Sequence, residues 1–432
     1  MPVQTTDDLT LGDDLRAFVD ASPSPAHAVA EITRRLRAAG FSALAEADAW
    51  QLAPGDARYV VRDDSSVVAF RVGSAPLAEA GLRLVGAHTD SPTFKVRPHW
   101  DVRQAGYRLV GVEPYGGLLA HTWLDRDLTV AGRLALRGGE TRLVHLPGAP
   151  LRLPSLAIHL DRSVREGLVL DPQRHLVPVW GADAVVGSDL LAALAEAAGC
   201  GPDDVLGHDL VLADTQPAAR SGADSSMVAA PRLDDLAGCH AALLALLRAA
   251  EGPRPAHTSV LVCNDHEEVG SGSAEGARGS FLADVLGRLV AVTSDGDPQA
   301  LHRAIARSRL VSLDVAHALH PTRPDRHEPS HTPALGGGPV LKVNANQSYA
   351  TDAVSGAWFA ERCAEAGVPL QRFVSRADLP CGSTIGPLTA TRLGIATVDV
   401  GAPVLAMHSV RELASARDVP LMVSALAACY TG

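Results

Sequence analysis

Apolar residues in this chain fall into three textures. Residues 26–41 place Val29, Ile32 and Leu36 on one face of a helix, and residues 236–250 repeat a helical pattern. Residues 82–86, 258–263, 310–313 and 397–403 are short apolar runs, bounded by polar or turn-forming residues, and are predicted to be buried strands. From about Ser91 to Ala230 short strand-like runs are separated by prolines. There, residues 128–137 and 141–146 alternate around Gly138-Gly139 like a hairpin, 189–198 reads as a helix, and 203–227 is polar and reads as a mobile connection. Beyond Pro231 strands and helices alternate to the end. The pattern predicts an α/β fold in which residues 1–91 and 231–432 share a central mixed β-sheet flanked by helices, interrupted by an inserted β-rich domain at 92–230.

The strand-like runs end in acids and imidazoles. Residues 258–263 lead into Asn264-Asp265-His266-Glu267-Glu268, residues 82–86 into Ala87-His88-Thr89-Asp90, 310–313 into Asp314, and 397–403 into Met407-His408-Ser409. Arg232-Leu233-Asp234-Asp235 stands just before the second helical pattern. Open α/β sheets keep their sites at the carboxyl ends of strands. Adjacent Glu267 and Glu268 repel each other unless a cation compensates them or they have different tasks; a metal site uses both, one carboxylate on the metal and one moving a proton. His88-x-Asp90 lets an imidazole bind a metal while a carboxylate sets its tautomer. A solvated acidic loop tip is the competing reading for Glu267-Glu268 alone, but it does not account for the other segments. Two imidazoles with carboxylates suit Zn²⁺, Mn²⁺ or Co²⁺. Five such ligands with one shared carboxylate suit two metals about 3.5–4 Å apart.

Further motifs occur in order along the chain: Ser22-Pro23-Ser24-Pro25-Ala26-His27, Trp123-Leu124-Asp125-Arg126-Asp127, Ala316-His317-Ala318-Leu319-His320-Pro321, Gly338-Pro339-Val340-Leu341-Lys342-Val343-Asn344 and Cys381-Gly382-Ser383-Thr384-Ile385-Gly386-Pro387. Together with the strand-end residues they resemble the aspartyl aminopeptidases, a family of di-metal exopeptidases, from the first helix to the C-terminus. The resemblance implies a metalloaminopeptidase that removes the first residue of peptides and prefers Asp or Glu there. It implies two divalent ions per subunit, zinc first, with manganese or cobalt as alternatives. One ion is held by His88, Asp234 and Asp314, the other by Asp234, Glu268 and His408. Glu267 is then the general base on the metal-bridging water, and Asp90 orients His88. The resemblance also implies a cis peptide between Asp234 and Asp235, dimerisation through the inserted domain, and assembly of dimers into a tetrahedral dodecamer. His317 is expected to line the substrate pocket. His159 matches a histidine that the family presents to a neighbouring subunit's active site; a half-buried strand position is the alternative.

Composition sharpens one residue. Of 38 basic residues only Lys95 and Lys342 are lysines. An Arg-biased chain keeps Lys where a compact ammonium does what a planar guanidinium cannot. Lys342, inside a shared motif, is thus expected to contact an acidic substrate group; Lys95 is either a surface residue or a second functional one. With 432 residues and 47% hydrophobic composition the chain can bury a large core. A net charge of −11 argues against nucleic acid, and no run is long enough to span a membrane. The acidic start, residues 1–14, lacks a signal peptide's apolar region, so a cytoplasmic enzyme is expected. His327-Glu328-Pro329-Ser330-His331 spells H-E-x-x-H, but Pro329 and its proline neighbours make it a loop, not a zincin helix. The six cysteines form no C-x-x-C pair and read as buried thiols. Two other functions remain open on the sequence: the same chemistry with a neutral or basic preference, and a catalytically idle oligomeric assembly protein.

Overall fold

The computed structural model describes residues 6–185, 187, 189–294 and 296–432. The first five residues of the acidic N-terminal stretch lie outside them. Among the described residues the strands form a nine-stranded mixed sheet, a seven-stranded sheet closed on itself and a five-stranded sheet.

The nine-stranded sheet positions the site. Its centre is four parallel strands in the spatial order Thr258–Asn264, Leu82–His88, Arg309–Leu313 and Ala396–Gly401. Strands on either side run antiparallel to this core, so the sheet is mixed as the patterning predicts. The central strands are apolar throughout because helices cover both faces. On one face Leu233–Glu251 packs with Asp418–Thr431, and on the other lie Phe281–Thr293 and Ala300–Ala306. The helix Pro25–Ala38 buries Val29, Ile32 and Leu36, and starts where Ser24 caps it and Pro25 supplies a pre-set φ.

The seven-stranded sheet lies between residues 93 and 214 and closes into a barrel through pairing of Val205–Asp214 with Asp127–Leu136. The expected hairpin is present as Asp127–Leu136 and Thr141–His145, and the expected helix as Leu190–Ala198, capped by Asp189. The polar stretch 203–227 is not a mobile connection: Val205–Asp214 is a ten-residue strand that completes the barrel. Gly207-His208-Asp209 interrupt its apolar residues, but Leu210 and Leu212 are buried in the barrel core. Ala219–Ser221 and Met227–Ala230 then pair into the five-stranded sheet with Glu412–Ser415, Pro403–Leu405 and Ala316–His317.

Residues 327–331 carry no helix, as Pro329 requires. All six cysteines are free; four are buried, while Cys200 and Cys381 are partly exposed. No helix among the described residues is long and apolar enough to cross a membrane.

Candidate metal centre

The carboxyl ends of the parallel strands converge. His88 ends the strand Leu82–His88, Glu267 and Glu268 follow Thr258–Asn264, and Asp314 follows Arg309–Leu313. His408 lies beyond Pro403–Leu405, and Asp234 sits in the first turn of Leu233–Glu251, where a cis peptide joins it to Asp235 as the family resemblance implied. Asp234 is the centre of the cluster. His88 Nε2 lies 3.3 Å from its Oδ1, and His408 Nε2 lies 3.2 Å from its Oδ2 and 3.6 Å from Glu268 Oε2. His88, Asp234 and Glu268 offer one ligand atom each, all within 4.8 Å of one another. His88 is 1% exposed and Asp234 2%.

Asp90 organises the strand ends. Its Oδ1 accepts from the Glu267 N–H at 3.1 Å, and its Oδ2 from the Glu268 N–H at 3.0 Å. His88 Nδ1 lies 3.1 Å from Asp90 O and 3.3 Å from its Oδ1, so this ring nitrogen carries the proton and Nε2 is free to ligate.

A cleft of about 360 Å³ opens on the cluster, lined by Asp234, Glu267, Glu268 and Asp314 together with Lys342, His317 and Tyr349. Lys342 is nearly buried; its Nζ donates to Asp314 O at 2.9 Å and Val315 O at 3.2 Å, and lies 3.4 Å from Asp314 Oδ2. His317 is open to the cleft and packs edge-on against Phe373, with ring centroids 5.6 Å apart. The other two named residues lie elsewhere. Lys95 pairs with Asp209 at 3.3 Å in a separate cavity of about 280 Å³ beyond Asp90. His159 does not line this cleft; it sits on an exposed turn of the barrel, not in a strand, because Pro154 and the Leu160 N–H to Ala157 O bond turn the backbone there.

Residues 18–430 match the family described as aminopeptidase I zinc metalloprotease (M18). The chain belongs to the M18 aminopeptidases. It is 48% identical over 419 residues to a probable M18 family aminopeptidase 2 of Streptomyces coelicolor, covering 96% of each chain. Among solved structures it is similar to that of the Ape4 and Nbr1 complex, with 35% identity, a TM-score of 0.95, and coverage of 100% of this chain and 87% of that one. It is also similar to the Saccharomyces mApe1 dodecamer, with 30% identity, a TM-score of 0.85 and coverage of 96% and 95%.

The cluster of this M18 aminopeptidase fits zinc on its own chemistry. Asp234 Oδ1 is buried with no well-aligned hydrogen bond, having only His88 Nε2 beside it at 3.3 Å, and so is an acceptor aimed into the cluster. Burial holds the Glu268 carboxyl well above its ordinary range, and Asp234 adds to it. Burial likewise raises Asp314, against the pull of Lys342. Burial opposes the His88 imidazolium, yet Asp234 and Asp90 hold that ring above its ordinary value. A divalent cation among them would reverse these directions, releasing protons from the carboxyls and histidines as it binds. Glu267 is pushed up to about 7, by burial first and then by Asp314 and Asp90 against His88.

Sequence reasoning left three supports of the M18 site without a role. Glu412 ties two segments: its Oε2 accepts from the Asp234 N–H at 3.0 Å and its Oε1 from the His408 N–H at 2.8 Å. Burial, with Asp234 nearby, pushes its carboxyl up to about 8. Asp235, wholly buried, accepts from the Gly238 N–H at 3.2 Å and the His88 N–H at 3.4 Å. Tyr115 donates to Asp90 Oδ2 at 2.7 Å from the barrel. Glu412 closes the Met407-His408 motif and Asp235 follows Asp234, so both had a local signal. Tyr115 had only the Gly116-Gly117 turn that follows it.

Proposed function

We propose that this zinc aminopeptidase releases acidic first residues from peptides, with His88, Asp234 and Asp314 holding one of two ions and Asp234, Glu268 and His408 the other. The observation that carries the reading is the Asp234 carboxylate, with one oxygen facing His88 and the other facing His408. Bound zinc supplies Lewis acidity for the scissile carbonyl and lowers the pKa of water. Glu267, whose carboxylate lines the cleft beside Glu268, takes a proton from the attacking water and passes it to the leaving amine. Asp90 keeps the His88 ring oriented and the Glu267 backbone in place. Lys342 brings a cation to the described cleft lining and supports the acidic preference. One observation favours a neutral preference instead: three oxygens of Asp314 and Val315 already surround the Lys342 ammonium, which has three donors.

The barrel is proposed as the unit of association between copies, as befits a relative solved as a dodecamer. Its loop at 153–176 supports this with exposed Leu160 and Val169, and His159 lies within it.

The deciding experiment is hydrolysis of Asp-, Glu-, Leu- and Arg-p-nitroanilide before and after chelation and zinc return, with Glu267→Gln alongside. Zinc-dependent release from Asp and Glu alone, reduced in the variant by roughly 10²–10⁴-fold, is expected. Preferential release from Leu would replace the acidic preference and keep the mechanism. No release from any substrate by zinc-loaded protein would overturn the enzyme reading.

A further inference from the structure

The barrel reaches the metal centre at the turn that ends its strand Tyr107–Tyr115. Four contacts converge there. Tyr115 Oη donates to Asp90 Oδ2 at 2.7 Å. His408 Nδ1 lies 3.0 Å from Gly117 O, and the Leu119 N–H donates to His408 O at 3.0 Å. Gly116, at φ +70°, lies against Glu268, and a Cβ there would come within 3.0 Å of the Glu268 Cβ. The turn therefore touches both histidine-bearing ends of the cluster and the Glu268 between them.

Asp90 is where these contacts gain leverage. Its two oxygens receive the Glu267 and Glu268 N–H groups, the Tyr115 hydroxyl and the approach of His88 Nδ1. A carboxylate offers about four acceptor sites, so Tyr115 occupies the last of them. Removing the hydroxyl leaves Oδ2 buried with a single donor and the carboxylate plane less well determined. His88 and the Glu267-Glu268 backbone hang on that plane. Tyr115 is itself placed by the barrel, through its register with Thr93.

We propose that Tyr115 is a positioning residue of the metal centre, through which seating of the barrel on the catalytic sheet and retention of the divalent cation are linked. Reciprocal linkage follows: whatever tightens the barrel's contact with Asp90 tightens the hold on the cation, and a bound cation steadies the barrel. The inference rests on the ligand set proposed above.

The test uses the full chain and zinc alone. Tyr115→Phe keeps the ring and removes one hydroxyl. A chromophoric chelator competes for zinc in parent and variant, and thermal unfolding is recorded with and without zinc. Loss of an outer hydrogen-bond partner weakens metal affinity by roughly 10–100-fold; that loss is expected here, with a fall in Tm that is larger with zinc than without it. Asp90→Asn should weaken zinc binding in the same direction, and adding Tyr115→Phe to it should change little further. Zinc affinity of Tyr115→Phe within twofold of the parent overturns the inference and leaves the ligand set standing. An equal fall in Tm with and without zinc overturns it in favour of a purely structural tyrosine. A parent that binds no zinc overturns the ligand set and this inference together.

Discussion

The carboxyl edge of the central sheet and the barrel loop at 153–176 are opposites. At the sheet edge, charged groups are buried: His88, Asp90, Asp234 and Asp235 sit where apolar residues would be expected. In the loop, apolar groups are exposed, Leu160 by 75% and Val169 by 86%. Each inverts the ordinary distribution, and buried charge and clustered exposed apolar surface are the informative exceptions. Isolated ionised groups in a low-dielectric site are costly unless paired or bound to metal, and the edge carries more carboxylates than its own histidines and Lys342 balance. A run of exposed Leu, Ile and Val calls instead for another surface. The two regions favour different company, the edge a cation and the loop an apolar surface.

The contrast breaks most visibly at Asp234. Asp234→Asn leaves the shape of the cluster but removes the carboxylate proposed to be shared by the two ions; zinc content should fall to background and hydrolysis with it, measured by elemental analysis and turnover on the same preparation. Retention of the parent's zinc content would mean that Asp234 is not the shared ligand. A smaller and separate effect is expected at the loop. Leu160→Asp with Val169→Asp should lower the mass in solution, measured by light scattering, while changing subunit stability by no more than about 0.5 kcal/mol, as for most surface substitutions. An unchanged mass would show that this face is not the association surface. The smallest effect lies at the seam between body and barrel, where the His27 ring meets His145 with centroids 6.2 Å apart. Burial, with His145 and Arg232 adding, pushes His27 down to about 4. The unfolded chain therefore takes up a proton that the folded chain refuses, and stability falls as pH drops from about 6.5 towards 4. His27→Gln should reduce the loss of stability between pH 7 and pH 5 by about 1 kcal/mol, measured by denaturant titration at both values. An unaltered pH dependence would mean that His27 does not titrate in this interval.

Legibility in the sequence followed the range of the interactions. The parallel strands could be read because each is a short apolar run, and their ends because His88, Glu267, Glu268 and Asp314 lie within a few residues of where the apolar run stops. Val205–Asp214 escaped because its pairing partner, Asp127–Leu136, supplies the burial that its interrupted pattern does not announce. Glu412 had no readable role because the group it serves, the Asp234 N–H, is 178 residues away. Tyr115 was hidden for the same reason, since a hydroxyl at the end of a barrel strand has meaning only once the barrel is seated beside Asp90.

The chain order of the central sheet bears on synthesis. Leu82–His88 pairs on one side with Thr258–Asn264 and on the other with Arg309–Leu313, both made long after it. At about 5–20 residues per second, the strand emerges roughly 10–30 s before its first neighbour in the sheet. During that interval the barrel strands between residues 93 and 214 find their partners nearby and can fold first. The apolar strand bearing His88 meanwhile keeps both hydrogen-bonding edges open, the condition under which nascent chains on the same message stick to one another. The residues that separate Leu82–His88 from its partners thus set how long both edges of that strand stay unpaired during synthesis.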